Sequence, residues 1–266
     1  STELGHLSQL QKLRQQQSRE EIHFSCALNV PVGTNAVYMD WIHASVFPQQ
    51  GETPIVLSLG VDITDNHWAN DKLQWLAMHD ALTGLANRYA FQEQLELSLA
   101  EASKSKNKVA LFYLDLDQFK VINDTYGHQE GDKLLQLVAD VLKNGIEETD
   151  ILGRIGGDEF TLLRSNVDLD EVELLAQHLM HLLKTIDYCI NSEPYQVSFS
   201  VGIAISPVGG LTQHDLLSNA DLAMYYAKKT GRSRYHIYDE NVDYQAALEK
   251  QMYWKSVIDQ AIELDE

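Results

Sequence analysis

The chain switches between strand-like and helix-like patterns of apolar residues. Near the N-terminus, a leucine at every third position predicts a short helix over Leu4–Gln17. Three segments rich in β-branched and aromatic residues follow, separated by the turn residues Pro31–Gly33 and Gln49–Glu52. This pattern predicts a three-stranded antiparallel meander with the strands Glu21–Val30, Ala36–Phe47 and Pro54–Thr64.

Beyond the meander, a helical pattern over Asp65–His79 leads into a region where helices and strands alternate. The predicted helices there are Arg88–Ser103, Phe119–Tyr126, Gly131–Asn144, Asp170–Ile186 and Gln213–Thr230. The predicted strands are Lys108–Leu116, Ile151–Ile155, Glu159–Arg164, Gln196–Ile205 and Arg234–Tyr238. The order βααββαβ predicts an α+β fold, with helices packed on an antiparallel-rich central sheet. An amphipathic segment, Tyr244–Glu266, predicts one final helix.

The charge balance limits the kinds of partner that the chain can take. With 266 residues, 44% of them hydrophobic, the chain is long enough for one or two folded domains. Its 20 Lys and Arg against 39 Asp and Glu give a net charge of −19. An acidic surface repels nucleic-acid backbones and anionic membranes, so we expect no nucleic-acid partner and no membrane contact from this chain. An anionic substrate would need metal ions and a few well-placed cations.

The two cysteines, Cys26 and Cys189, lie far apart in no metal-binding spacing. We expect two buried free thiols rather than a disulfide, which is typical of a reducing cytoplasm. No segment approaches the roughly 18 apolar residues of a membrane span, and no signal peptide opens the chain. We therefore expect a cytoplasmic location. The first residue is Ser1 rather than Met, which favours an excised piece of a longer parent whose membrane anchoring stays open.

Acidic residues at two strand ends are candidates for a metal site. One apolar strand ends in Asp115–Asp117, and we expect at most one of its two carboxylates to point into a given site. Two acidic residues also follow two glycines in Gly156–Glu159, where the glycines permit a tight hairpin turn. If the two strands pair, Asp115 and Asp158 meet, and such carboxylates suit Mg²⁺ that bridges phosphates in nucleotidyl transfer. Taken alone, each motif is more often a helix cap or a simple hairpin.

Five separated stretches resemble the GGDEF family of diguanylate cyclases, which make cyclic di-GMP from GTP. The matching stretches, spread over roughly Met78–Glu240, are Asp80–Arg88, Asp115–Asp132, Arg154–Phe160, Ser198–Ile205 and Ala220–Arg234. Five matches in order at the family's spacing are far more specific than one pentapeptide. The resemblance implies a sheet like that of nucleotidyl cyclases and polymerase palms. It also implies GTP as substrate, and a homodimer in which two domains face each other for catalysis.

The resemblance assigns the metal and catalytic roles to four residues. The carboxylate of Asp115, the backbone carbonyl of Leu116 and the carboxylate of Asp158 would bind Mg²⁺ or Mn²⁺. Asp158 and Glu159 would be catalytic, with Glu159 assisting either metal binding or the acid–base step. For the stretch Asp80–Arg88 we assign no chemistry, and expect its polar residues to cap and orient the first helix of the domain.

The resemblance also assigns substrate binding. Asn123 and Asp132 would bind guanine, since an amide can pair with N3 and the exocyclic amine while a carboxylate accepts from N1–H and N2–H₂. Without the family, Asn123 would be a helix or turn cap and Asp132 a carboxylate favoured by a helix dipole. The remaining residues implied to contact the substrate, through its phosphates, are Phe119, Lys120, Lys228 and Arg232. The first two begin a predicted helix, where backbone N–H groups suit phosphate.

The chain departs from the family at the inhibitory product site, an Arg-x-x-Asp motif in many members. Asp150 is retained, but Glu147 stands where the arginine should be. A carboxylate repels the phosphates that an arginine would bind in bidentate fashion, so the site is degenerate. We expect weak or absent product inhibition through it.

The flanking segments resemble parts of other signalling modules. A meander ending in Asp62–Thr64 and continued by a helix resembles the C-terminal half of a PAS sensor domain, although the earlier strands of a complete one are missing. The last helix resembles a linker into an EAL phosphodiesterase domain. We therefore expect a partial PAS-like sensor segment at 1–64, a signalling linker helix at 65–79, a GGDEF domain at 80–240, and a C-terminal helix at 241–266 that leads to a missing EAL domain.

Three alternatives stay open. The GGDEF domain could bind GTP and regulate a downstream EAL domain with little synthesis of its own. A nucleotidyl cyclase acting on ATP is disfavoured by the pair Asn123 and Asp132, because adenine presents no matching donors. The N-terminal meander could serve dimerisation alone.

Overall fold

The structure, a computed structural model, describes residues 21–28, 37–46, 55–186, 188–190 and 193–244. The predicted helix Leu4–Gln17, nearly all of the predicted helix Tyr244–Glu266 and the side chain of Cys26 lie outside these residues. The chain divides into two compact units, residues 1–75 and residues 76–266. None of the described helices is both long enough and apolar enough to cross a membrane.

The first unit contains the predicted meander. Its strands β1 (Glu21–Leu28), β2 (Val37–Val46) and β3 (Ile55–Asp62) pair antiparallel in the order β1-β2-β3. The Asp62 carboxylate accepts hydrogen bonds from the N–H and the hydroxyl of Thr64, at 2.9 and 2.6 Å. The Thr64 hydroxyl oxygen in turn accepts from the N–H of Tyr38 at 2.9 Å. The Asp62–Thr64 tripeptide thus ties the end of β3 to β2 where helix α1 (Thr64–Met78) begins.

The second unit is built on a five-stranded sheet. Its strands, in chain order and with a separate two-stranded hairpin β7–β8, are β4 (Val109–Leu116), β5 (Ile151–Gly156), β6 (Glu159–Ser165), β7 (Tyr188–Ile190), β8 (Glu193–Tyr195), β9 (Phe199–Ile205) and β10 (Arg234–Ile237). The helices are α2 (Arg88–Ser105), α3 (Phe119–Tyr126), α4 (His128–Asn144), α5 (Leu169–Lys184) and α6 (Gln213–Lys229). The sheet order is β10-β9-β4-β6-β5, and only β10 and β9 are parallel. The antiparallel-rich α+β arrangement is therefore confirmed.

Strand β4 lies at the centre and is buried along its whole length. Its alternate side chains enter two cores, because successive residues of a strand face opposite sides of the sheet. Phe112 and Leu114 pack with α3, α4 and α5 on one face. Leu111 and Tyr113 pack with α2 and α6 on the other. The helices therefore hold β4 from both sides and fix where its C-terminal end lies.

Several local predictions differ from the structure. Helix α4 begins at His128 rather than Gly131, because Gly127, with φ of 87°, separates it from α3. The hairpin β7–β8 was not predicted, since three-residue strands are too short to show a period. The prediction that Cys189 is buried is wrong: this thiol is free and exposed on β7.

Helix α6 approaches β9 unusually closely at Gly202. A Cβ atom there would lie 2.0 Å from the Ala220 carbonyl oxygen and 2.1 Å from the Met224 nitrogen, both backbone atoms of α6. Backbone cannot move aside as a flexible side chain can. The absence of a side chain at residue 202 therefore sets the distance between α6 and the sheet.

We expect Gly202→Ala to lower the free energy of unfolding by about 3 kcal/mol, because α6 must move off the sheet. Gly145→Ala is a matched control: its Cβ would meet Cδ1 of Leu182 at 2.2 Å, the end of a side chain that can rotate, and it should cost about 1 kcal/mol. Urea unfolding of both variants measures the difference. Equal losses for the two variants would contradict the packing argument.

Candidate functional site

Three carboxylates come together where β4 ends. Asp115 pairs in register with Glu159 across the antiparallel strands β4 and β6, so their side chains share a face. The N–H of Leu116 donates to the carbonyl oxygen of Asp158 at 3.1 Å, which places the β5–β6 turn beside Asp115. Gly157 supplies the left-handed residue of this turn, with φ of 54°. The structure thus brings Asp115 together with the acidic pair Asp158–Glu159, which begins 43 residues later in the sequence.

The charge of this cluster is only partly balanced. The pKa of Asp115 is raised from the ordinary 3.8 to about 6, mainly because the carboxyl group is buried. A hydrogen bond from Lys228 lowers this pKa, and the nearby charges of Asp158 and Glu159 raise it. The Lys228 ammonium lies 2.6 Å from a carboxylate oxygen of Asp115. Three carboxylates thus face one ammonium, and the excess negative charge favours an additional cation.

The donor set fits Mg²⁺ bound together with phosphate. This ion takes oxygen ligands, and in nucleotide sites it uses one or two carboxylates completed by substrate phosphates and water. Among the described residues, no group of three or more His, Cys, Asp or Glu side chains is arranged to hold a metal. Asp115 and Asp158 would therefore need a backbone oxygen, such as that of Leu116, and phosphate oxygens to complete a shell.

The two cationic side chains predicted to bind phosphate, Lys228 and Arg232, lie near each other in the sequence at the end of α6. Lys228 lies in the last turn of α6, and Arg232 lies in the tight turn beyond it. The N–H of Arg232 donates to the carbonyl oxygen of Ala227 at 3.1 Å, which folds this turn back on the helix. The Lys229 ammonium instead lies 4.8 Å from the centre of the Tyr225 ring.

The second carboxylate of the Asp115–Asp117 motif has a different environment. Asp117 is buried and accepts hydrogen bonds from the hydroxyls of Ser198 and Ser200, at 2.9 and 2.7 Å. It also accepts from the N–H of Ser233 at 3.0 Å. As expected, only one carboxylate of the motif faces the acidic cluster. Sequence reasoning gave Asp117 no role, although two serines in an otherwise apolar stretch were a signal that a buried polar group needed partners.

The predicted guanine-binding residues lie on neighbouring helices. Asn123 is on α3, and Asp132 is exposed in the first turns of α4. A Cβ at Gly131 would lie 2.0 Å from Oδ1 of Asn123, so the two helices meet at this glycine. Oδ1 of Asn123 is buried and has no hydrogen-bond partner in the structure. A buried acceptor without a donor is costly, and a ligand N–H group would satisfy it.

Helix α3 begins directly after Asp117. Its N-cap residue, Gln118, has φ of 61° and makes no side-chain capping hydrogen bond. The first N–H groups of α3 are therefore left without a side-chain cap at the end of β4, which favours an anion there. The Phe119 side chain is buried in the core, so only its backbone can serve a ligand, whereas Lys120 is exposed.

The acidic turn is held in place by an arginine that sequence reasoning missed. The Arg154 guanidinium donates twice to the carbonyl oxygen of Gly157, at 3.0 and 2.7 Å, and once to the Asp80 carboxylate at 2.9 Å. Asp80 also accepts from the N–H of Thr83 at 2.9 Å, as a capping residue does. The capping prediction for Asp80–Arg88 therefore holds for Asn87, whose side chain caps α2, whereas Asp80 caps the turn that precedes this helix.

At the degenerate inhibitory position, Asp150 is already engaged. Its carboxylate accepts two hydrogen bonds from Arg164, at 2.7 and 2.5 Å, and one from the N–H of Glu147 at 2.9 Å. The Glu147 carboxylate lies 3.2 Å from the same guanidinium. Glu147, Glu148 and Asp150 line a cleft of about 440 Å³. Arg164 was not anticipated, because nothing in the motif indicates a partner on β6.

The raised pKa of Asp115 makes a prediction about stability in metal-free buffer. The folded protein holds the Asp115 proton more tightly than the unfolded chain, so this group's contribution to stability is lost as pH rises through about 6. Asp115→Asn removes the titration. We expect its free energy of unfolding, relative to the parent, to increase by about 2 kcal/mol between pH 4 and pH 8. The exposed Asp140→Asn on α4 serves as control, and a difference that stays constant with pH would contradict the assignment.

Comparisons with known proteins identify the family. The family described as diguanylate cyclase, GGDEF domain, matches residues 77–234. The bifunctional diguanylate cyclase/cyclic di-GMP phosphodiesterase MucR of Pseudomonas aeruginosa is 38% identical over 184 residues, covering 69% of this chain and 27% of MucR. The cyclic di-GMP phosphodiesterase PdeR of Escherichia coli is 39% identical over 179 residues, covering 67% of this chain and 27% of PdeR. The chain thus spans about a quarter of the length of these curated relatives.

Solved structures show the same fold. The GGDEF domain of TpbB, or YfiN, from P. aeruginosa matches with a TM-score of 0.60 and 31% identity, covering 64% of this chain and 99% of that one. The coiled coil and GGDEF domain of DgcB from Caulobacter crescentus, in complex with c-di-GMP, matches with a TM-score of 0.59 and 29% identity, covering 66% and 93%. The resemblance found in the sequence is confirmed, and the chain belongs to the GGDEF family of diguanylate cyclase domains.

Proposed function

We propose that this chain is a diguanylate cyclase, which condenses two GTP molecules into cyclic di-GMP and two pyrophosphates. The observation that supports this most directly is the intact acidic turn: Asp158 and Glu159 lie beside the buried Asp115, with a cation at hydrogen-bonding distance. Among the relatives, DgcE of Escherichia coli is named a probable diguanylate cyclase, at 33% identity over 178 residues that cover 67% of this chain and 16% of DgcE.

In this proposal, the chain's own residues bind and orient one GTP per domain. Asn123 and Asp132 bind guanine, and the buried acceptor of Asn123 gains the donor that it lacks. Lys228 and Arg232 bind the β- and γ-phosphates, and Lys120 with the backbone N–H of Phe119 binds phosphate at the start of α3. Asp115, Asp158 and the Leu116 carbonyl would hold Mg²⁺ or Mn²⁺. When bound, such an ion lowers the pKa of the attacking hydroxyl and neutralises the phosphates.

The reaction requires two domains. Each 3′-hydroxyl attacks the α-phosphorus of the other GTP, so that an O–P bond forms and the bond from that phosphorus to pyrophosphate breaks. Glu159, in register with Asp115, assists metal binding or accepts the proton. Because one domain holds one GTP, a homodimer is needed to close the ring. The N-terminal segment would control how two domains meet, as a PAS-like sensor on the cytoplasmic side.

A second function is favoured by the names of other relatives. PdeR, and PdeB of Shewanella oneidensis, are named cyclic di-GMP phosphodiesterases although they contain a region 39% and 37% identical to this chain. This chain would then bind GTP and regulate an EAL domain in a longer parent. The intact acidic turn favours synthesis over this alternative.

We expect the chain to convert GTP with Mg²⁺ into cyclic di-GMP, with a specific activity that rises with protein concentration because a dimer is required. Asp158→Asn should reduce product formation at least about 100-fold, since a metal-binding carboxylate is lost, while Asp140→Asn leaves it unchanged. Chromatographic detection of product across a dilution series tests both points. Synthesis that persists in Asp158→Asn would refute the assignment, and GTP binding without any product would favour the regulatory alternative.

The degenerate inhibitory site makes a separate prediction. Because Glu147 repels phosphate and Asp150 is already bound by Arg164, we expect the parent protein to bind cyclic di-GMP weakly there. Glu147→Arg should raise the affinity at least about tenfold, since a guanidinium replaces a carboxylate beside the product's phosphates. Isothermal titration measures both, with Glu101→Arg, an exposed position on α2 outside the cleft, as control for a general change of charge. Tight binding by the parent at this position would contradict the prediction.

A further inference from the structure

Asp117 is a buried carboxylate for which the proposed chemistry has no use. Only 5% of its surface is exposed, and it lies two residues beyond Asp115. Its oxygens accept the hydroxyls of Ser198 and Ser200 and the N–H of Ser233. A buried charge is retained at a cost unless its partners compensate for lost hydration. Here the partners come from two separate parts of the chain: the start of β9 and the turn after α6.

The turn after α6 needs such support because its backbone is strained. Arg232 and Ser233 have φ of 57° and 47°, in the left-handed region that residues other than glycine occupy at a cost of about 1–2 kcal/mol each. The N–H of Arg232 is bound by Ala227 of α6, and its carbonyl oxygen accepts from Arg234 at 3.2 Å. These two contacts join the turn to its own neighbours. The hydrogen bond from Ser233 to Asp117 joins it to the segment that carries Asp115.

We propose that Asp117 is a positioning residue that fixes Arg232 relative to the end of β4. This inference rests on the proposed function, in which Arg232 binds the outer phosphates of GTP. Asp117 lies two residues after Asp115, and its hydrogen bond to Ser233 holds the residue next to Arg232. A single carboxylate therefore fixes the position of Arg232 relative to Asp115. The proposed metal site and the proposed site for the β- and γ-phosphates are thereby held at a fixed distance from each other.

A carboxylate is suited to this position because its partners are all donors. An aspartate accepts at both oxygens, whereas an asparagine of the same shape presents an NH₂ group on one side. In Asp117→Asn, that NH₂ would face either the Ser200 hydroxyl or the pair formed by Ser198 and the Ser233 N–H. A hydroxyl can rotate to accept, but the backbone N–H of Ser233 cannot. The amide oxygen therefore takes the side of Ser233, and the charge-assisted hydrogen bond that anchors the turn becomes a weaker, neutral one while the size of the side chain is preserved.

The test compares nucleotides that differ only in their outer phosphates. Isothermal titration of GTP, supplied as 3′-deoxy-GTP so that it cannot condense, and of GMP, each with Mg²⁺, measures affinity for the parent and for Asp117→Asn. We expect the affinity for GTP to fall about tenfold, and that for GMP to change less than about twofold, because GMP lacks the phosphates that Arg232 binds. In an Arg232→Ala background, Asp117→Asn should have little further effect on GTP, since both changes remove the same interaction.

Asp150→Asn is the matched control. Its side chain is 1% exposed and also accepts several hydrogen bonds, but those come from Arg164 and Glu147. It should lower the thermal stability comparably while leaving the ratio of GTP to GMP affinity unchanged. Should Asp117→Asn fail to fold, Ser200→Ala removes one partner of the carboxylate, and should lower the GTP affinity about threefold without changing that for GMP.

The outcomes separate the two proposals. Equal losses of GTP and GMP affinity in Asp117→Asn, or a loss for GTP alone in Asp150→Asn, would overturn the positioning role and leave guanine-nucleotide binding intact. Additive effects of Asp117→Asn and Arg232→Ala would also overturn it. A parent protein that binds neither nucleotide would overturn both the positioning role and the proposed function.

Discussion

The burial of strand β4 on both faces is the constraint on which the rest of the domain depends. Apolar side chains along this strand pack alternately against two layers of helices, so its C-terminal end has one fixed place in the fold. Asp115, the acidic turn and Lys228 meet at that end. Asp115 is the last but one residue of the strand, α3 begins three residues beyond its end, and the β5–β6 turn and α6 are brought alongside by the sheet. The hydrophobic effect thus determines where the polar chemistry takes place.

The polar groups at that end are arranged at the expense of local stability. Carboxylates are placed close to one another in a buried position, and the single ammonium of Lys228 balances them only in part. The acceptor of Asn123 is left without a donor, and two residues after α6 hold a left-handed backbone. Such features persist where the surrounding structure is rigid enough to enforce them. Around them lie fully satisfied groups, namely Arg154 with Asp80 and Asp117 with its serines, which restrain the strained residues.

The sequence predicted most of the regular elements and named the acidic residues that meet at the end of β4. Helix Phe119–Tyr126 has the predicted bounds because its pattern is local, and Asp115 meets the acidic turn because β4 and β6 pair, which was the condition of that expectation. It did not predict the hydrogen bonds that support the site. Arg154 and Asp80 are 74 residues apart, and Ser233 and Asp117 are 116 apart. Such pairs form only when separate elements pack together, and the periodicity of apolar residues along the chain does not indicate which elements do so. The exposure of Cys189 was also missed, because the strands of the hairpin that carries it are too short to show a pattern of burial.

Gly202 shows how a residue remote from the chemistry can determine it. The helix that carries Lys228 and leads to Arg232 rests directly on this glycine, with no side chain between the backbones of α6 and β9. Under the proposed function, substitutions at position 202 would lower the output of cyclic di-GMP as those of a substrate-binding residue would, although the glycine lies outside the site. Preservation of the site therefore includes a residue without a side chain, and a chain that kept every charged residue of the motif would still have α6 displaced by a side chain at position 202.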